Sequence, residues 1–126
     1  MIEILMWTIL YWVYFANAIL LILHEIDSGY WQEWKLFRMP GGITLFLLLH
    51  VPLLYFLLNG LVQISKQDSS GLIYSLIFGI IGIGAFVIHS TFILKGHKEF
   101  KVPVSIIILI LIVVLSSIQI GLTLRF

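Results

Sequence analysis

Residues 17–38 read NAILLILHEIDSGYWQEWKLFR. An apolar run meets His24, Glu25 and Asp27, then Trp31, Glu33 and Trp34, and only afterwards the basic pair Lys35 and Arg38. Three of the chain's six acidic residues fall in this short stretch, at the end of an uncharged segment rather than on a solvated face. A long apolar run closed by tryptophans and basic residues is the end of a membrane span, where the hydrocarbon gives way to headgroups.

The composition agrees. Of 126 residues, 61% are hydrophobic and 10% charged, against about 25% charged in soluble domains. The mean hydropathy is +1.14. So few charges cannot cover a surface facing water, and the chain reads as an integral membrane protein forming a single domain, 1–126. Its seven Lys and Arg residues are dispersed, so no basic patch for nucleic acid is expected. There are no cysteines, which removes disulfides, thiolate metal ligands and iron–sulfur clusters. The N-terminus, MIEILMW, carries an acid where a secretory signal needs positive charge, and is expected to be a retained span.

Four runs lack Asp, Glu, Lys and Arg: Ile4–Leu23, Gly41–Ile64, Gly71–Leu94 and Val102–Leu124. Each is long enough to cross about 30 Å of hydrocarbon as a helix. An open sheet would leave its backbone unsatisfied in lipid, and nothing here alternates like a barrel. The predicted architecture is all-α, an up-down-up-down bundle of four spans at about 4–27, 41–64, 71–94 and 102–124. Between the first two, Ile26, Tyr30, Trp34 and Phe37 recur at helical spacing with polar residues opposite. That pattern predicts a short amphipathic helix at about 28–38, lying in the interface. The first and third connections carry Lys35, Arg38, Lys95, Lys98 and Lys101, whereas the other side has Lys66 and Arg125. The excess of basic residues places those two connections in the cytoplasm and both termini outside, as expected for a bacterial inner membrane protein.

The third span contains Ser75, Gly79, Gly82, Gly84 and Ala85, small residues that let another helix approach closely. They suit packing inside the bundle, or a Gly79/Gly82 seam with a second copy or a larger membrane complex. The fourth span offers only hydroxyls, Gln119 and Gly121 as polar features and is expected to be a wall facing lipid.

Ionisable groups inside a span are expensive and by default mark function. His24, His50 and His89 stand one each on spans one, two and three. At ~1.5 Å per residue they lie ~6, ~10–14 and ~8 Å below the same boundary. His24 and Asp27 are three residues apart on one helix face, a spacing by which bundle helices offer a histidine and a carboxylate to a metal. The expected ligands are therefore His24, Asp27, His50 and His89, an N/O set suited to Zn or Fe. Glu25 and Glu33 are the candidate catalytic acids, acting as general base or orienting a ligating imidazole. Two other readings use the same residues: imidazoles that merely satisfy neighbouring polar groups, and a histidine pair as axial ligands of a b-type haem. His97, among loop lysines, reads as solvated.

The pattern His24-Glu25-x-Asp27, then Glu33-Trp34, then His50-Val51-Pro52, resembles a family of small bacterial four-helix membrane proteins of unknown function. That resemblance implies a fold and no activity. The inventory of three histidines, an aspartate and a nearby serine (Ser28 or Ser90) is also similar to the zinc site of the seven-helix intramembrane hydrolases, the alkaline ceramidase and adiponectin-receptor group. Ligand order and helix number differ, so no catalytic role is carried over. The expected function is a histidine–carboxylate metal site in the cytoplasmic half of the bundle, serving a hydrolase or oxidoreductase with a lipid-soluble substrate. An accessory subunit of a larger complex and a proton-coupled carrier are the other classes considered.

Overall fold

The computed structural model describes residues 1–97 and 102–126; Lys98 and Lys101 of the basic count lie outside them. Four helices account for most of these residues: α1 (Ile2–Tyr30), α2 (Gly42–Ser65), α3 (Ser69–Leu94) and α4 (Pro103–Thr123). Each is long and apolar enough to cross a membrane, and no strand occurs among the described residues. The 29 residues of α1 extend roughly 43 Å, more than the ~30 Å of a hydrocarbon core.

Packing is written in the sequence as a 3-4 alternation. The buried positions of α1 include Trp7, Leu10, Tyr14, Asn17, Leu21, His24 and Ser28, and those of α4 are Ser105, Leu109, Ile112, Ser116, Gln119 and Thr123. A repeat averaging 3.5 residues keeps one seam of a helix against its neighbours. Helix α1 therefore packs on α2 and α4, and α3 packs on the same two, closing a ring with Leu10, Tyr14, Leu57, Phe78 and Ile112 in its core.

The expectation of α4 as a lipid-facing wall is corrected here: it makes the most extensive contacts, with α1 and α3. Ser105, Ser116, Gln119 and Thr123 point inward, and Ser117 alone of its polar side chains is exposed. Asn17 Nδ2 donates to Ser116 Oγ and to Gln119 Oε1, both at 3.0 Å, and Gln119 Nε2 donates to the Ser75 carbonyl at 2.7 Å. In lipid, apolar surface supplies no drive for helices to associate, so such bonds and close small-residue contacts do. Gly79 and Gly82 lie against this helix. A Cβ at Gly79 would come 2.6 Å from Ile120 Cγ1, and one at Gly82 would come 2.0 Å from Ser116 Oγ.

Helix α2 is the loosest member. Its buried residues, Leu57, Gly60 and Ile64, all fall in its C-terminal half, and it contains Pro52. No residue from Gly42 to Phe56 is fully buried, and this half leaves room for a site.

The amphipathic helix expected over 28–38 is divided. Ser28–Tyr30 complete α1, and a three-residue 3-10 turn, Glu33–Lys35, follows. Left-handed Gln32 (φ 54°) and Arg38 (φ 52°) break the helical path on either side. Gly41, at φ 93°, then turns the chain into α2, a conformation for which glycine is the natural choice.

Asp68 caps α3 by accepting the Ser70 N–H at 2.8 Å. Its hydrogen bonds from Ser70 hold the carboxyl below its ordinary value. A depressed folded-state pKa means that the cap contributes above the ordinary aspartate value of about 3.9 and is lost as pH falls through the folded value. Amide-exchange protection at Ser70 is expected to drop on acidification through this range. In Asp68→Ala it should be low throughout, and an unchanged profile in that variant would count against the cap.

Candidate metal centre

The seam of α1 that buries Leu10, Tyr14 and Asn17 carries on to His24, and the seam of α3 that buries Ser75 and Gly82 carries on to His89. The two imidazoles meet edge to face, ring centroids 4.4 Å apart. Glu33 completes the group from the 3-10 turn. His24, Glu33 and His89 are all buried and offer ligand atoms within 4.8 Å of one another.

Local structure explains why a loop residue reaches so far inward. Main-chain bonds from Lys35 to Gln32, from Leu36 to Glu33 and from Met39 to Trp34 fix the turn. Aromatic contacts clasp it on both sides, Trp34 on Phe46 of α2 (centroids 5.3 Å) and Phe37 on Phe92 of α3 (5.5 Å). The Glu33 carboxylate then accepts a short hydrogen bond from His89 Nε2. Burial opposes its charge, yet the bond from His89 and the neighbouring Ser28 and His24 hold its pKa below the usual glutamate value.

His89 Nδ1 lies 2.7 Å from the Ala85 carbonyl. A carbonyl only accepts, so Nδ1 carries a proton; Nε2, which donates to Glu33 in this pairing, is the nitrogen whose lone pair a cation would take in place of that proton. This is the tautomer and backbone anchor common in metal-ligating histidines. A second pair repeats the pattern. His50 Nδ1 is 2.6 Å from the Phe46 carbonyl, and its Nε2 is 2.5 Å from Glu25 Oε2. Both pairs line one cavity of about 440 Å³ between α1, α2, α3 and the 31–41 strap.

The sequence-predicted residues thus divide. His24 and His89 come together with Glu33. His50 and Glu25 pair with each other on the same cavity, and Asp27 lies outside the group, half-buried. The seam of α1 runs through positions 21, 24 and 28, so Asp27 is rotated off it and the carboxylate comes from the turn instead. His97 is also partly buried, its ring 5.2 Å from that of Phe92, rather than simply solvated. Helical periodicity could not reveal Glu33 as a neighbour of His24, because left-handed Gln32 intervenes.

The donor set fits a divalent cation. Two imidazoles and one carboxylate suit Zn or non-haem Fe and leave coordination positions open. Ser28 Oγ, beside Glu33, is buried and makes no full hydrogen bond among the described residues. A polar atom in that state is fitted to a water or ligand at the centre. A porphyrin has no room between His24 and His89, whose rings are already in contact.

The family of unknown function DUF6713 matches residues 10–126, a span that contains every residue of both pairs. The chain belongs to this family. No curated protein and no solved structure matches it.

Proposed function

We propose that this member of DUF6713 is a membrane metalloprotein. His24, Glu33 and His89 hold zinc or iron, and the cavity beside them admits a lipid-soluble substrate for hydrolysis or oxidation. The observation that carries this reading is the buried tripod itself, because two imidazoles and a carboxylate gathered from three elements in apolar surroundings are costly without a ligand. The cation would supply Lewis acidity toward a substrate oxygen. The chain's own residues do the rest. Ala85 and Phe46 carbonyls fix the tautomers of His89 and His50, and the Glu25–His50 pair holds one exchangeable proton at the cavity wall. Leu45, Leu49 and Ile88 give the cavity apolar walls. Elemental analysis of the detergent-purified protein is the test: about one zinc or iron per chain is expected, and none would end the metal reading.

In this reading the helices run up-down-up-down, and the strap with Trp31 and Trp34 lies in the cytoplasmic headgroup layer of an inner membrane, supported by the five-to-two basic excess. The absence of native cysteine gives a clean check. A cysteine at Ser69 is expected to react with an impermeant maleimide in intact cells, and one at exposed Lys95 to be protected. The reverse pattern would turn the centre to the outside.

A further inference from the structure

Glu33 reaches the centre on a segment that otherwise lies outside the bundle core. Of residues 31–41 it alone is buried, and Phe37 and Met39 are 44% and 40% exposed. The backbone N–H groups of Lys35, Leu36, Phe37, Arg38 and Met39 all donate within the segment. Among the described residues no main-chain bond from Glu33 to Met39 reaches α2 or α3. The docked path is also unfavourable by itself. Gln32 and Arg38 are held left-handed, a region that residues with a side chain populate sparsely. The chief ties to the helices are the bond between His89 and Glu33 and the ring contacts on Phe46 and Phe92.

Trp34, Phe37, Met39 and Pro40 of this strap line the 440 Å³ cavity, so a strap that lifts takes one wall of the cavity with it. Hinges need only a few residues at the ends of a moving segment. Gln32 stands at one end, and Gly41 and Gly42, at φ 93° and 54°, stand at the other. The bond from His89 ties the strap to α3 alone. A cation held by His24, Glu33 and His89 would tie it to α1 and α3 together. A ligand that binds only the docked form stabilises that form by mass action.

We propose that the 31–41 strap is a lid on this cavity, latched by Glu33, and that loading of the cation closes it. This is a regulation of the centre proposed above, and it rests on that reading for the identity of the closing ligand.

Because the chain has no native cysteine, nitroxide pairs can be placed on introduced cysteines. One pair, at exposed Lys35 and Lys95, spans the strap and the end of α3; the other, at outward Ile73 and Ile118, spans α3 and α4. Distances are read by double electron–electron resonance on the full chain in phosphatidylcholine nanodiscs. They are taken after chelator and again with zinc, with bound zinc assayed on the same samples. With zinc, the Lys35–Lys95 distribution is expected to be one narrow peak, and chelator should widen it at least about twofold. Glu33→Gln should stay wide with or without zinc, and Asp27→Asn should follow the parent. The Ile73–Ile118 distribution should not change in any sample. The parent's distribution kept in both Glu33→Gln and Glu33→Ala, or widened as much by Asp27→Asn, would overturn the lid. So would a Glu33→Gln variant that widens the Ile73–Ile118 pair as well, because the bundle rather than a strap has then moved. Zinc bound by the parent without narrowing the strap pair would overturn the closing role and keep the centre. A strap loosened by Glu33→Gln in a parent that binds no zinc would overturn the centre and the closing role, and sustain Glu33 as the latch on His89.

Discussion

Glu33→Gln is expected to reduce zinc or iron retention on the order of a hundredfold, with the bundle still folded. Loss of a partner that only orients a ligand typically costs about 10–100-fold in metal affinity, and loss of a direct ligand should exceed this. Glutamine keeps the volume of the buried side chain and its hydrogen-bonding reach to His89, but removes the charge that a divalent cation requires. His89→Ala should lose metal as fully, though less cleanly. It would strand the Glu33 carboxylate in an apolar site, a change that can cost about 3–5 kcal/mol when one partner of a buried pair is removed. The informative controls are Asp27→Asn and His50→Ala. Asp27 lies outside the group, so its variant should hold metal like the parent. His50 is engaged with Glu25, so its loss should change proton handling and leave stoichiometry intact. Equal metal in the parent and in Glu33→Gln, measured after dialysis against chelator, would remove Glu33 from the centre.

The four helices long and apolar enough to cross a membrane were legible because charge is so costly in hydrocarbon that its absence over twenty or more residues marks such a segment. The role of α4 was hidden by the same logic. Ser105, Ser116, Gln119 and Thr123 look incidental among isoleucines, yet with Leu109 and Ile112 they fall on one alternating seam. In lipid that polar seam, rather than the apolar bulk, marks the packed face. The inward placement of His24 could be read from its continuity with Asn17 two turns earlier. The same continuity could have been followed to Ser28, and would have moved attention off Asp27. Glu33 and the Glu25–His50 pair were beyond any periodicity, because a left-handed turn and a loosely packed half-helix set them. Composition singled out the stretch, and only the tertiary arrangement could sort its acids into candidate ligand (Glu33), imidazole partner (Glu25) and bystander (Asp27).

The seam also ties the centre to the packing of the whole bundle, and this sets the expected result of Gly82→Leu. Ser75, Gly82 and His89 are spaced by seven residues on the buried face of α3. A Cβ at Gly82 would stand 2.0 Å from Ser116 Oγ and 3.1 Å from Ile112 Cγ2, so leucine must push α4 away bodily. Overpacking of this kind costs about 1–3 kcal/mol by itself. Moving α4 also strains the bonds from Asn17 to Ser116 and from Gln119 to the Ser75 carbonyl, and each buried polar group left unpaired costs a further ~1–3 kcal/mol. Together these approach the whole stability of a typical domain, about 5–15 kcal/mol. Gly82→Leu is therefore expected to yield little folded protein in detergent, and what folds should also lose metal as His89 shifts with its helix. Leu111→Ala, on a face of α4 that is 43% exposed, should cost less than about 1 kcal/mol, as surface changes do. Gly121→Leu, where an added Cβ meets nothing within 4 Å, should behave likewise and excludes a general intolerance of glycine replacement. Denaturation midpoints in mixed micelles decide the matter. If Leu111→Ala or Gly121→Leu proves as damaging as Gly82→Leu, the α3–α4 seam is not what holds His89 against His24 and Glu33.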